Sequence, residues 1–219
     1  MIMGSGKAKV VEFGNGAFRL RCALPTMAPM EAPATGADLY WIPVGAGTHF
    51  QKASLVLYES VVAAVSRRPR QRLVHGGLVC RLDGEPFTVE LMPAPSGPNH
   101  RNEVTGPVGI ALAGKLRLFR YQVCLLPNAS LPDEQWAVEP PVRLSDDAEA
   151  VRAIVEASHV VPAYTWGRRR PRHPEMWTSD SALAWILHRA GLRPQDILIP
   201  PGCRAPGWFA GLAEAAASR

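Results

Sequence analysis

The stretch Glu175-Met-Trp-Thr-Ser-Asp-Ser-Ala-Leu-Ala-Trp-Ile-Leu-His-Arg-Ala-Gly-Leu192 decides how the rest of the chain is read. Four short polar side chains, Thr178, Ser179, Asp180 and Ser181, stand before a nearly unbroken apolar run. Each can accept from a free helix amide, so a helix is expected to begin among them. Gly191 and Pro194 supply its stop. A run this apolar predicts a buried helix. A hydroxyl at its start is either an ordinary cap or a nucleophile. The second reading gains from free N–H groups and the positive dipole end, which favour a developing anion.

Working backwards, Asp38–Val44 reads as a strand, with a turn at Gly45-Ala-Gly47. Lys52 to Ser66 carries apolar residues at helical spacing. Leu73–Leu82 and Pro86–Met92 flank Asp83-Gly84, a tight hairpin signal. Residues 94–109 read as a polar loop, and Arg117–Leu126 as another strand. Ser145-Asp-Asp-Ala-Glu149 caps a helix to about Ala157. Residues 162–174 read as irregular and basic, and the segment beyond Pro200 as a tail. This order predicts an α+β fold, an antiparallel sheet packed with helices.

The chain has 219 residues, 47% of them hydrophobic, enough for one domain with a substantial core. Residues 1–36 are read as an N-terminal extension with a short hairpin around Gly14-Asn-Gly16 and a linker. Residues 37–219 are read as a single α+β domain. Four widely spaced cysteines, Cys22, Cys80, Cys124 and Cys203, form no Cys-x-x-Cys pair. Six histidines show no metal-ligand spacing, so neither metal nor cofactor is expected. No apolar stretch is long enough to span a bilayer and no signal-peptide core follows Met1, so a cytoplasmic protein without a membrane partner is expected. The formal charge is +5, with arginine clusters at 67–72 and 168–172. Aromatics do not interleave with them, so solvated loop arginines are favoured over a nucleic-acid surface.

His75 begins a strand and is followed by Gly76-Gly77, which leave space beside it. A turn at Asp83-Gly84 pairs residues whose numbers sum to about 167. His75 then faces the neighbourhood of Met92, with Glu90 a diagonal neighbour on the same face. A carboxylate beside a histidine fixes its tautomer and raises its basicity. Ser179, His75 and Glu90 would make nucleophile, base and orienter. Asp180 is either the cap that leaves Ser179 free or itself a partner of His75. The plain alternative is a satisfied strand histidine, a solvent-facing Glu90 and a capping Ser179. Arg101 and Arg204 are candidate anion-holding residues. Trp177 and Trp208 are further substrate-binding candidates. Cys203, in a Pro/Gly loop where a thiol would be exposed, is read as incidental, with a cysteine nucleophile the less favoured alternative to serine.

A histidine on a sheet hairpin, a polar residue on the next strand and a nucleophile opening a late buried helix resemble the circularly permuted papain-like fold. Lecithin retinol acyltransferase-like proteins and several bacterial amidase families share that order. Their helix usually opens with cysteine, often within Asn-Cys-x-x-Phe, where this chain has Thr178-Ser-Asp-Ser181. The chain also resembles a group of uncharacterised bacterial proteins, through Pro43–Gly47, Leu57–Glu59, Val89–Pro93, Gly106–Gly109, Arg117–Tyr121, Glu175–Trp177 and Arg204–Trp208. Those tend to carry Asn-Ser-Asn-Ser at 178–181 and Trp-Gly-Arg-Asp-Glu at 166–170. The resemblance implies a shared fold and supplies no activity.

The expected function is therefore acyl transfer (amide or ester hydrolysis, acyltransfer or cyclisation) on a small-molecule or peptidic substrate. The alternative is a non-catalytic ligand- or peptide-binding protein. A weaker third reading is a nucleic-acid binder using Arg168–Arg172. The sequence does not set the oligomeric state.

Overall fold

The structure, a computed structural model, describes residues 34–45, 63–64, 67–93, 104–116, 119–128, 131, 133–171 and 173–218. The expected hairpin near Gly14-Asn-Gly16, Arg101 and most of the expected helix at 52–66 lie outside them; Ala63 and Ala64 are helical. The fold is α+β. Strands β1 (Gly36–Pro43), β2 (Arg72–Leu82), β3 (Glu85–Pro93), β4 (Val104–Pro107), β5 (Arg120–Pro127) and β6 (Val142–Ser145) form an antiparallel sheet in the order β4-β5-β3-β2-β1-β6. A two-residue strand, Cys203–Arg204, adds to β2 in parallel. A small separate ribbon pairs β7 (Arg169–Arg170) with β8 (His173–Met176); the short strand at 203–204 is β9. Among the described residues the longer helices are α1 (Ala148–His159), α2 (Ser179–Arg189) and α3 (Trp208–Ala217).

The β2–β3 hairpin follows from its turn. Asp83 and Gly84 both take positive φ, 53° and 87°, the conformation of a two-residue turn whose twist matches the flanking strands. The register is the one expected, from Leu82↔Glu85 to Leu78↔Val89. β4 lies within the stretch read as loop, and α3 within the stretch read as tail. A four-residue edge strand has too little periodicity to announce itself. α3 follows Pro200, Pro201 and Pro206 and begins after a left-handed Gly207 at φ 91°, so propensity alone places it poorly. The α1 cap is Asp147, whose carboxylate accepts from the Glu149 and Ala150 amides at 3.2 Å. Ser145 belongs to β6.

Helices α1, α2 and α3 pack on one face of the sheet. Leu39, Trp41, Val74, Leu78, Cys80, Val89 and Val123 meet Val151 and Ile154 of α1 and the apolar body of α2 in one core. Every residue of α2 from Asp180 to Leu187 is buried, as a helix apolar on all sides requires. α3 seals it: Trp208 stacks edge-on against Trp41 at 5.0 Å. The opposite face carries a smaller cluster of Ile42, Val79 and Leu131.

Gly211 lies where α3 crosses the start of α2, and a Cβ there would overlap the Ser181 carbonyl. Gly211→Ala is expected to cost about 1–3 kcal/mol, the usual scale for overpacking. Thermal unfolding checks this. An unchanged melting temperature would show that the two helices have room to part.

Candidate functional site

The pairing of β2 with β3 stops at Leu78↔Val89, although β2 runs back to Arg72 and β3 on to Pro93. The parting has a visible cause. Val44 N–H donates to the Leu73 carbonyl at 3.0 Å, so odd residues of β2 bond toward β1 and even ones toward β3. Gly76 N–H therefore points at the place β3 has left. Asp180 Oδ1 accepts it there at 2.8 Å. Nearer the start of β2, Arg72 N–H donates to Gly202 O at 3.0 Å, so β9 takes the same vacated edge. Gly76 also lets α2 approach, since a Cβ there would sit 2.5 Å from Leu183 Cδ2.

Where the strands part, a cleft of about 200 Å³ opens, lined by His75, Gly76, Gly77, Glu90, Leu131, Asp133, Ser179 and Leu183 among others. Its walls come from both faces of the sheet. Opposed residues of an antiparallel pair share a face. His75 and Glu90 thus lie on the face of Val79 and Ile42, away from α2. Ser179 reaches the cleft from the helix side.

The start of α2 divides its polar groups strictly. Thr178 is the N-cap and forms a reciprocal capping box with Ser181. Thr178 N–H donates to Ser181 Oγ at 2.9 Å, and the Ser181 hydroxyl donates to Gly207 O at 2.7 Å. The Thr178 hydroxyl donates to Pro206 O at 2.6 Å. Ser179 takes no part in the cap. It is the first helical residue, half-buried, with its side chain on the cleft.

Burial holds the His75 imidazole below its usual pKa, against the nearby Asp133 charge and a backbone hydrogen bond at Gly76, so it is neutral at pH 7. Burial foremost, and then the charge of Asp133, raise the Glu90 carboxyl. Burial also pushes Asp180 up to about 8, helped by Glu175 and opposed by the Gly76 amide. Asp180 is 2% exposed.

The structure brings Ser179, His75 and Glu90 to one cleft, with Asp180 directly behind it. No hydrogen bond joins His75 to Ser179 or to Glu90. Asp133 was not singled out in the sequence. It stands in an irregular segment with no periodicity, and its place is set by Leu131 packing with Ile42 and Val79. The tryptophans chosen as substrate contacts are core residues. Trp177 is 0% exposed and edge-on to Tyr164 at 4.9 Å, Trp208 is 1% exposed, and neither lines the cleft. Arg204 pairs with Glu175 at 3.2 Å, and the same carboxylate accepts from Gly207 N–H at 3.0 Å, which ties β8 to the start of α3. Among the described residues no three His, Cys, Asp or Glu side chains gather as a metal site. Comparison with protein-family models, curated proteins and solved structures finds no match.

Asp180→Asn keeps an oxygen for Gly76 N–H and removes the ionisation. A folded pKa near 8 against an ordinary 3.8 means that the wild type loses stability as pH rises from about 4 through about 8. The variant is therefore expected to be the more stable near pH 8, by an amount on the order of a few kcal/mol, with the gap closing toward pH 4. Denaturant titrations at the two pH values read this directly. A gap that does not change with pH would show that Asp180 is ionised in the fold.

Proposed function

We propose that this cleft performs acyl transfer on a small-molecule or peptidic substrate. The observation that carries the reading is a serine hydroxyl released from capping at the head of a buried helix, in the same cleft as a neutral imidazole. Ser179 Oγ adds to the substrate carbonyl while its proton passes to His75. The tetrahedral oxyanion faces the first amides of α2, where the dipole is positive. His75 then returns the proton to the leaving amine or alkoxide, giving an acyl-Ser179 ester. Water or a second acceptor, deprotonated by His75, releases the acyl group.

Asp133 stabilises the transient imidazolium, since its charge is the leading influence favouring protonated His75. Glu90 shares the face of His75 and forms the polar wall. His75 and Ser179 come within bonding range when substrate draws the walls together; catalytic hydrogen bonds are commonly long before substrate binds. The order of these residues also supports kinship with the permuted papain-like arrangement, with serine in the place of cysteine. A non-catalytic binding protein is the second reading, favoured by the missing hydrogen bond between Ser179 and His75.

Fluorophosphonate probes should label the protein on Ser179, and Ser179→Ala should abolish labelling with little change in melting temperature. His75→Ala should slow labelling by about 10² to 10⁴. The base must be unprotonated, and its folded pKa lies below the usual 6.5, so labelling should persist as pH falls through 6.5 and decline only below it. Undiminished labelling of Ser179→Ala removes the assignment. Absence of labelling alongside saturable ligand binding selects the second reading.

A further inference from the structure

Among the described residues, five of the nine exposed large apolar side chains lie within twelve positions: Val108, Ile110, Leu112, Leu116 and Phe119. Leu112 is 69% exposed and Leu116 61%. Solvent-exposed leucine and isoleucine are ordinary singly and informative when gathered. The segment is held in place. Gly114 closes on Pro107, where a Cβ would sit 2.5 Å from the proline Cβ. Val108 bridges to Trp166, and Gly109 N–H donates to Trp166 O at 2.9 Å.

Its charge has one sign. Between Glu103 and Asp133 the sequence holds Lys115, Arg117 and Arg120 and no carboxylate. Arg168 comes to the same place, donating from Nε to the Gly109 carbonyl, and exposed Arg169 follows it. An apolar tip that carries Lys115 and is met by Arg168 matches a bilayer carrying anionic headgroups: the tip enters the acyl boundary and the cations meet the phosphates. A second copy is a poor occupant, because a two-fold contact sets Lys115 and Arg168 against like charges. Nucleic acid is a poor one as well, since four of the five side chains are aliphatic and a single phenylalanine gives successive bases no stacking platform.

We propose that Val108, Ile110, Leu112, Leu116 and Phe119, with Lys115, Arg168 and Arg169, dock this protein peripherally on an anionic lipid surface. No helix among the described residues is long and apolar enough to cross a membrane. A peripheral contact needs none, although it departs from the sequence-based expectation of no membrane partner. The tip lies beyond Pro107↔Arg120, at the end of the sheet where β3 finishes and β2 begins. This is the end at which the cleft opens, but the docking proposal does not depend on the cleft's chemistry.

The test is sedimentation of the full chain with phosphatidylcholine vesicles, with and without phosphatidylserine. Binding should need phosphatidylserine and weaken as salt is raised. Leu112→Ser with Leu116→Ser should lower partitioning by about tenfold or more, from the lost burial of two side chains. Lys115→Glu with Arg169→Glu should do the same selectively on anionic vesicles. All four positions are exposed, so circular dichroism should be unchanged. Failure to bind either vesicle, or undiminished binding by the leucine variant, overturns the proposal. So does self-association that the leucine variant abolishes while vesicles are ignored, which assigns the patch to a protein contact. Fluorophosphonate labelling of the same variants should match wild type, so loss of docking and loss of the acyl-transfer reading are separable.

Discussion

A carboxyl group standing where a strand should be is the contact on which the rest depends. Gly76 N–H is aimed at β3 by the alternation of β2, and an unanswered buried amide costs roughly 1–3 kcal/mol. Asp180 answers it from a helix 104 residues along the chain. Without that oxygen the amide's natural partner is β3 itself, and pairing would continue past Leu78↔Val89. The gap between two adjacent strands, and with it a cleft reached from both faces, exists because a side chain has replaced a backbone acceptor. Burying Asp180 is expensive for its charge, which is why its pKa lies near 8. A neutral carboxyl keeps an acceptor oxygen for Gly76, so near pH 7 the contact survives without a buried charge.

The same economy governs the head of α2. Four small polar residues compete for one cap, and only two are needed for a capping box. Thr178 and Ser181 take it because the loop before α3 offers their hydroxyls the Pro206 and Gly207 carbonyls. Asp180 turns to Gly76. Ser179, on the remaining side, is left to the cleft. Its availability is decided by the docking of α3, since without those carbonyls any of the four could cap. Gly207 fits the same logic: its φ of 91° is a glycine conformation, and a Cβ would fall on the Thr178 and Ser181 hydroxyls.

What could be read from the sequence was what is local. Asp83-Gly84 fixes a turn type, the turn fixes register, and the register places His75 and Glu90 on one face; that chain of inference needs no tertiary information. The buried helix, its stop at Gly191 and the abundance of capping groups are local as well. The parting of β2 from β3 was not legible, because it depends on a contact across half the chain. Asp133 was not, because its segment has no period and is located only by Leu131. The inward turn of Trp177 and Trp208 was not legible for a related reason. A tryptophan beside a site in sequence can equally turn into the core, and here edge-on partners, Tyr164 and Trp41, draw both inward.

The arginine cluster shows how a charge run can divide between jobs. Arg170 lies over the Tyr164 ring at 3.7 Å and pairs at 3.4 Å with Glu214, a carboxylate 1% exposed on α3. A buried carboxylate is costly alone, so this arginine is committed to the core. Arg168 is committed to the Gly109 carbonyl at the foot of the exposed apolar tip. Among the described residues of the cluster that leaves exposed Arg169, and one arginine does not make a phosphate-tracking surface. The cleft, meanwhile, has two carboxyls and a neutral imidazole along its walls. No arginine is among the residues that line it; the described arginines of the cluster serve packing and the foot of the apolar tip instead.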